Sequence, residues 1–165
     1  MAAERAGQAP GHRVEGAITR ARFPLPDVTW PLTAGFWEGA AAGELRIPVC
    51  DGCARFRWYP AETCEHCEHG PFTWTAVSGR GTLFSWVEVT HPFLPQFAGL
   101  VPYVPALVAL AEDPLVRVPT RMVDVDPAAL VFDQPVHVVF REITFAGIDG
   151  AVPAPMFVPD EPTTP

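Results

Sequence analysis

Four cysteines, Cys50, Cys53, Cys64 and Cys67, are the residues of this chain best suited to chemistry. They are its only cysteines, and all fall within CDGCARFRWYPAETCEHC as two Cys-x-x-Cys pairs ten residues apart. A Cys-x-x-Cys turn can place two thiolates on one ion, and two such turns joined by a hairpin complete a tetrahedral sulfur site. We therefore assign the four sulfurs to one metal ion, zinc. Four thiolates around a dication leave no open position, so the site is expected to be structural, with no bound water to activate. A ribbon this small cannot bury enough apolar surface to fold alone, whereas zinc contributes about 10–16 kcal/mol to folding in comparable modules. Three other readings stay open: iron in a rubredoxin-like site, a redox-active dithiol, and His66 or His69 as a substitute ligand.

No catalytic constellation is legible elsewhere. With all four cysteines claimed, no thiol is left as a nucleophile. Ser78 and Ser85 have no evident base beside them, and His91 precedes Pro92 in an expected loop. His137 falls between Val136, Val138 and Phe140, which would face a core and leave it outward. Asp124 and Asp126 flank a turn, where capping is favoured over a paired-carboxylate role.

The elements that must hold the sulfurs follow from pattern. PLTAGFWEGAAAGEL (31–45) predicts a short helix capped by Thr33 and ended by Gly43, with Phe36, Trp37, Ala40 and Ala41 on one face. That face either docks on the next module or contributes Phe36 and Trp37 to a partner surface. Leu45, Ile47 and Val49 alternate with Arg46 before the first cysteine pair, and Phe56 and Trp58 alternate with Arg55 and Arg57 after it, as in a hairpin. From Phe72 the pattern is β. FTWTAVSGRGTLFSWVEVTH reads as a short strand, a bend at Gly79 and Gly81, and a long strand; YVPALVALAE, VRVPTRMVDV and PVHVVFREITF supply three more. Five strands of this kind predict a small closed or nearly closed barrel over 72–158. Residues 1–30 read as a flexible polar arm, 46–71 as the ribbon and 159–165 as a loose tail; Met156 and Phe157 in the Pro-rich segment before it are expected to tuck against a neighbour.

Composition bounds the partners. The chain has 165 residues, 48% of them apolar and 20 of them proline, which favours short strands and loops over long helices. It has no lysine and a net charge of −8, unlike the basic stripe of a general nucleic-acid binder. The longest apolar run, LVPYVPALVALA, has twelve residues against about 20 for a membrane span. MAAERAGQAPGHR lacks the apolar core of a secretory signal, so the expected compartment is the cytoplasm, where clustered cysteines favour metal over disulfide.

The order GFWEGAAAGEL, CDGCARFRWYP, CEHC, SGRGTLFSW, VPYVPALVAL and DQPVHVVF resembles the zinc-ribbon OB-fold family catalogued as domain of unknown function 35, over about residues 31–158. The resemblance implies a mainly β protein: an N-terminal helical segment, a rubredoxin-like zinc ribbon and a C-terminal five-stranded OB-fold barrel. It also implies a non-catalytic accessory subunit of an acyl-CoA enzyme, stabilising a thiolase-fold partner (a thiolase, an acyltransferase or a steroid side-chain retro-aldolase) and helping to form its acyl-CoA channel. Some members pair with hydratases of hot-dog fold. Such knuckles often carry Gly after the second cysteine, where this chain has Ala54 and Glu68, so some positive-φ strain is expected. Arg46, Arg55 and Arg57 could share one side of the hairpin and meet coenzyme A phosphates or an acidic strip of a partner. The alternative is a solvated hairpin face. Phe93, Phe97 and Tyr103, in one proline-punctuated region, are candidates for a partner surface. Two competing functions are a single-stranded nucleic-acid-binding barrel, for which the basic groove is lacking, and an independent acyl-CoA hydrolase.

Overall fold

The structure is a computed structural model that describes residues 24–161. Most of the expected arm, residues 1–23, and the end of the tail, residues 162–165, lie outside the described residues. The helix α1 spans Ala34–Ala41, shorter than its sequence pattern allows. The Thr33 side chain does not cap it; instead the Thr33 and Ala34 N–H groups bond to the Trp30 carbonyl. The C-terminus ends as expected, on Gly43 at φ 74°, with the Gly43 N–H donating to Ala40 and the Glu44 N–H to Gly39. This crossed pair satisfies carbonyls that the helix leaves open.

Two short strands, β1 (Arg46–Cys50) and β2 (Phe72–Ala76), form an antiparallel ladder on either side of the cysteine segment. The helix packs on them through glycine. A Cβ on Gly35 would lie 2.3 Å from the Trp74 ring, so only a residue without a side chain lets α1 approach β2 this closely.

The remaining strands are β3 (Arg80–Trp86), β4 (Val104–Leu110), β5 (Arg117–Met122), β6 (Pro135–Ile143) and β7 (Val152–Pro159). They close a barrel in the order β3-β4-β5-β7-β6, with β6 returning to β3. All neighbours are antiparallel except β5 and β7. The architecture is mainly β, with one short helix and a closed five-stranded OB-like barrel.

Strand membership differs from the sequence reading in two places. The Phe72 strand pairs with β1 and belongs to the ribbon sheet. The fifth barrel strand comes from the proline-rich C-terminal segment, where Met156 and Phe157 are buried. Pro153, Pro155 and Pro159 recur at even spacing, so their nitrogens point the same way as Phe157. That side faces β5, where the ladder is a single residue pair, Met122 with Phe157, while the N–H groups facing β6 are retained. Carbonyls on the β5 side still find donors: Val123 N–H reaches Phe157 O at 3.0 Å and the Thr120 hydroxyl reaches Pro155 O at 3.1 Å.

One continuous core joins the parts. Phe36, Leu45 and Ile47 from the helix and β1 pack in the same cluster as Leu83, Val108, Val118, Val136 and Phe157 from the barrel.

Candidate metal centre and its surroundings

Each cysteine pair sits in a turn with the same two backbone bonds. In the first, Ala54 N–H donates to Cys50 O at 2.8 Å and Cys50 N–H to Arg55 O at 2.9 Å. In the second, Glu68 N–H donates to Cys64 O and Cys64 N–H to His69 O, both at 2.8 Å. The turn requires a left-handed residue after its second cysteine, and Ala54 (φ 57°) and Glu68 (φ 59°) adopt it. Both are non-glycine residues in a region that costs an L-residue about 1 kcal/mol. Gly52 lets the two turns meet, since a Cβ there would lie 2.8 Å from His69 Cβ.

The four Sγ atoms lie within 4.8 Å of one another. Cys50 and Cys67 sulfurs are 3.5 Å apart and Cys53 and Cys64 sulfurs 3.7 Å apart. Those separations are far too long for a disulfide and match the edge of about 3.8 Å of a tetrahedron with zinc–sulfur bonds of about 2.3 Å. The four cysteines are thus positioned to bind a metal ion. His66 and His69 are not part of the cluster; the His66 ring lies against Arg55 and Glu65. The Cys64 thiol is drawn down to about 7, chiefly by the His66 N–H. Cys67, although it accepts the His69 N–H, is pushed up to about 12 by desolvation and by the other three sulfurs. Such crowding of negative charge is what a bound dication relieves.

The three ribbon arginines are divided. Arg55 lies against the His66 ring and Arg57 pairs with Glu65, so both reach the second turn. Arg46, at the far end of β1, pairs with Glu44 at 2.7 Å. The aromatic candidates also separate. Phe36 is buried in the core, stacked near Trp37 and Trp58, and offers no exposed surface. Trp37 is half-buried, Phe97 packs edge-on against Phe145, and Tyr103 pairs through its backbone with Val89. Phe93 is 87% exposed. Sequence reasoning passed over Phe132, which is 69% exposed and stacks on Trp86 at 4.8 Å.

It also passed over a polar recess at the β3–β6 seam. His137 Nδ1 lies 2.5 Å from Asp160 Oδ1, and Arg80 reaches Asp160 Oδ2 at 3.2 Å. Ser78 lines the same recess, yet its hydroxyl accepts from Arg80 N–H and makes no hydrogen bond to His137, so no nucleophile–base contact is formed. Asp126 does cap a short helical turn, accepting Ala128 N–H at 3.0 Å, whereas Asp124 pairs with Arg141. No helix among the described residues is long and apolar enough to cross a membrane.

Two family models match: the ChsH2 rubredoxin-like zinc ribbon domain over residues 37–72 and the ChsH2 C-terminal OB-fold domain over 74–141. A probable enoyl-CoA hydratase alpha subunit of Thermomonospora curvata is 34% identical over 130 residues, which cover 77% of this chain and 37% of that protein. The 3-oxo-4,17-pregnadiene-20-carboxyl-CoA hydratase alpha subunit of Mycobacterium tuberculosis is 38% identical over 66% of this chain and 33% of that protein. The chain thus spans about a third of these two relatives. A DUF35 domain-containing scaffold protein of Methanothermobacter thermautotrophicus is 32% identical over 54% of this chain and 65% of its own length. Among solved structures, a chain of the Ltp2-ChsH2(DUF35) aldolase superposes with a TM-score of 0.69 at 28% identity, covering 81% of this chain and 98% of that one. Sulfur cage, helix, ribbon and barrel agree with these matches, and the chain belongs to the zinc-ribbon OB-fold family known as domain of unknown function 35.

Proposed function

We propose that this chain is a non-catalytic accessory subunit of an acyl-CoA enzyme. In this reading it binds and stabilises a thiolase-fold partner that carries the reacting groups, and helps to form the acyl-CoA channel. The observation that carries the proposal is the likeness to the DUF35 component of an aldolase over 98% of that component's length. The sulfur site supports it, because four thiolates around zinc hold structure and leave no coordination site for substrate. Reduced thiols suit the cytoplasm. Phe93 and Phe132, among the most exposed aromatic side chains, are the proposed partner contacts, with Trp37, Phe97 and Tyr103 behind them. Arg55 and Arg57 are the proposed contacts to coenzyme A phosphates.

A second reading is favoured by the two hydratase alpha subunits among the relatives: the partner is then a hydratase of hot-dog fold. Co-expression with the neighbouring reading frames separates the cases. A thiolase-fold subunit retained at a fixed ratio supports the first, and a hydratase subunit the second. Substituting Phe93→Ala and Phe132→Ala together is expected to reduce that retention without lowering the melting temperature, since both rings are largely exposed. A chain that purifies alone, with no partner retained, contradicts both.

A further inference from the structure

A cleft of about 250 Å³ opens where α1 meets β5, β7 and the end of β6. Its walls are apolar, with Phe36, Trp37, Leu100, Ile143, Phe145 and Met156 the main contributors. One charged side chain, Arg121 of β5, stands among them and also borders the adjoining recess beside Tyr103. Arg121 is half-buried, and the contact its guanidinium makes is a weak one, to Met156 Sδ at 3.5 Å. Among the described residues it takes part in no ion pair, while Arg46, Arg57, Arg80 and Arg141 each hold a carboxylate. The carboxylate of the adjoining recess, Asp124, is already engaged by Arg141 at 2.9 Å.

A guanidinium stays charged, and a charge withdrawn from water without a partner is unfavourable. Desolvation accordingly pushes Arg121 below the ordinary arginine value. In a chain of net charge −8 with acid groups in excess, a half-buried cation left without one points to an anion from outside. Concave apolar walls with one fixed polar group are also the common form of a small-molecule site. The protruding Phe93, Leu115 and Phe132, which would suit a protein surface, do not line it. Since an apolar cavity of about 150 Å³ accepts benzene, this one has room for a fused ring pair or a medium alkyl chain.

We propose that this cleft binds a small amphipathic carboxylate, its charged end on the Arg121 fork and its hydrocarbon body against Phe36, Trp37 and Phe145. The fork and a carboxylate can share two parallel hydrogen bonds, which a neutral ester, thioester or alcohol of the same body cannot match. The site stands apart from the sulfur cage and does not depend on the accessory role.

Calorimetric titration of the full chain with decanoate, decanol and decyltrimethylammonium, each below its micellar concentration, tests it. Decanoate is expected to bind one site at least tenfold more tightly than decanol, and the cation least. Arg121→Gln should erase the preference for decanoate over decanol while leaving decanol binding in place, and Arg121→Lys should keep part of it. Equal binding of decanoate and decanol to the native chain, or no saturable decanoate binding, overturns the proposal whatever the variants do. Undiminished decanoate affinity in a folded Arg121→Gln chain overturns it as well.

Discussion

At Ala54 and Glu68 the fold asks for the conformation glycine adopts most easily, and the chain supplies other residues. Substituting glycine at either position is expected to raise the stability of the metal-loaded protein by about 0.5–1 kcal/mol, the relief of left-handed strain less the entropy glycine gains when unfolded. The midpoint of urea unfolding measures this, and a fall in midpoint contradicts it. Glu112 offers a second test. Partial burial pushes its carboxyl up, but the hydrogen bonds it accepts from Ser78, one of them 2.6 Å long from the backbone N–H, outweigh this and hold it below the ordinary glutamate value. A carboxyl held low when folded stabilises at pH above its unfolded value and loses that contribution as acid protonates the folded form. Glu112→Gln should therefore lower the melting temperature by about 1–3 °C at pH 7 and not at all near pH 3, with the difference closing between about pH 5 and 3. The cysteines were legible because ligand spacing is local. The His137–Asp160 pair and the isolation of Arg121 were not, because each depends on which strands become neighbours.

At the scale of elements, hydrophobic alternation located β3 to β6 and the ribbon strands. It missed β7 because proline at every second or fourth position reads as a breaker. Only the sparse β5–β7 pairing makes those positions tolerable, and that pairing joins residues far apart in sequence. Phe36 was ambiguous for a related reason: an aromatic on one face of a short helix suits a core and a partner equally, and the packing of α1 on the barrel decides for the core. The approach of α1 to β2 makes a further prediction. Gly35→Val would drive a branched side chain into the Trp74 ring, so α1 must lift away. The expected cost is about 1–3 kcal/mol, with a change in the tryptophan environment visible by near-ultraviolet circular dichroism. An unchanged spectrum and stability would show that α1 does not sit as described.

Across the whole molecule, the ribbon and barrel share one core through α1 and β1, so the sulfur site supports more than its own turns. Removing the metal with a strong chelator is expected to lower the melting temperature by at least about 10 °C, because several kcal/mol of binding free energy is lost and each is worth about 2–4 °C at this size. Retention of the original melting temperature would mean that the cage contributes little. A platform held rigid in this way, without a nucleophile hydrogen-bonded to a base among its described residues, is suited to supporting chemistry in another chain. The most direct test is acyl-CoA turnover measured for this chain alone, for the subunit that co-purifies with it, and for the two mixed. The account predicts no turnover from this chain alone, slow or short-lived turnover from the partner alone, and full turnover from the mixture. Full turnover from this chain by itself would contradict it.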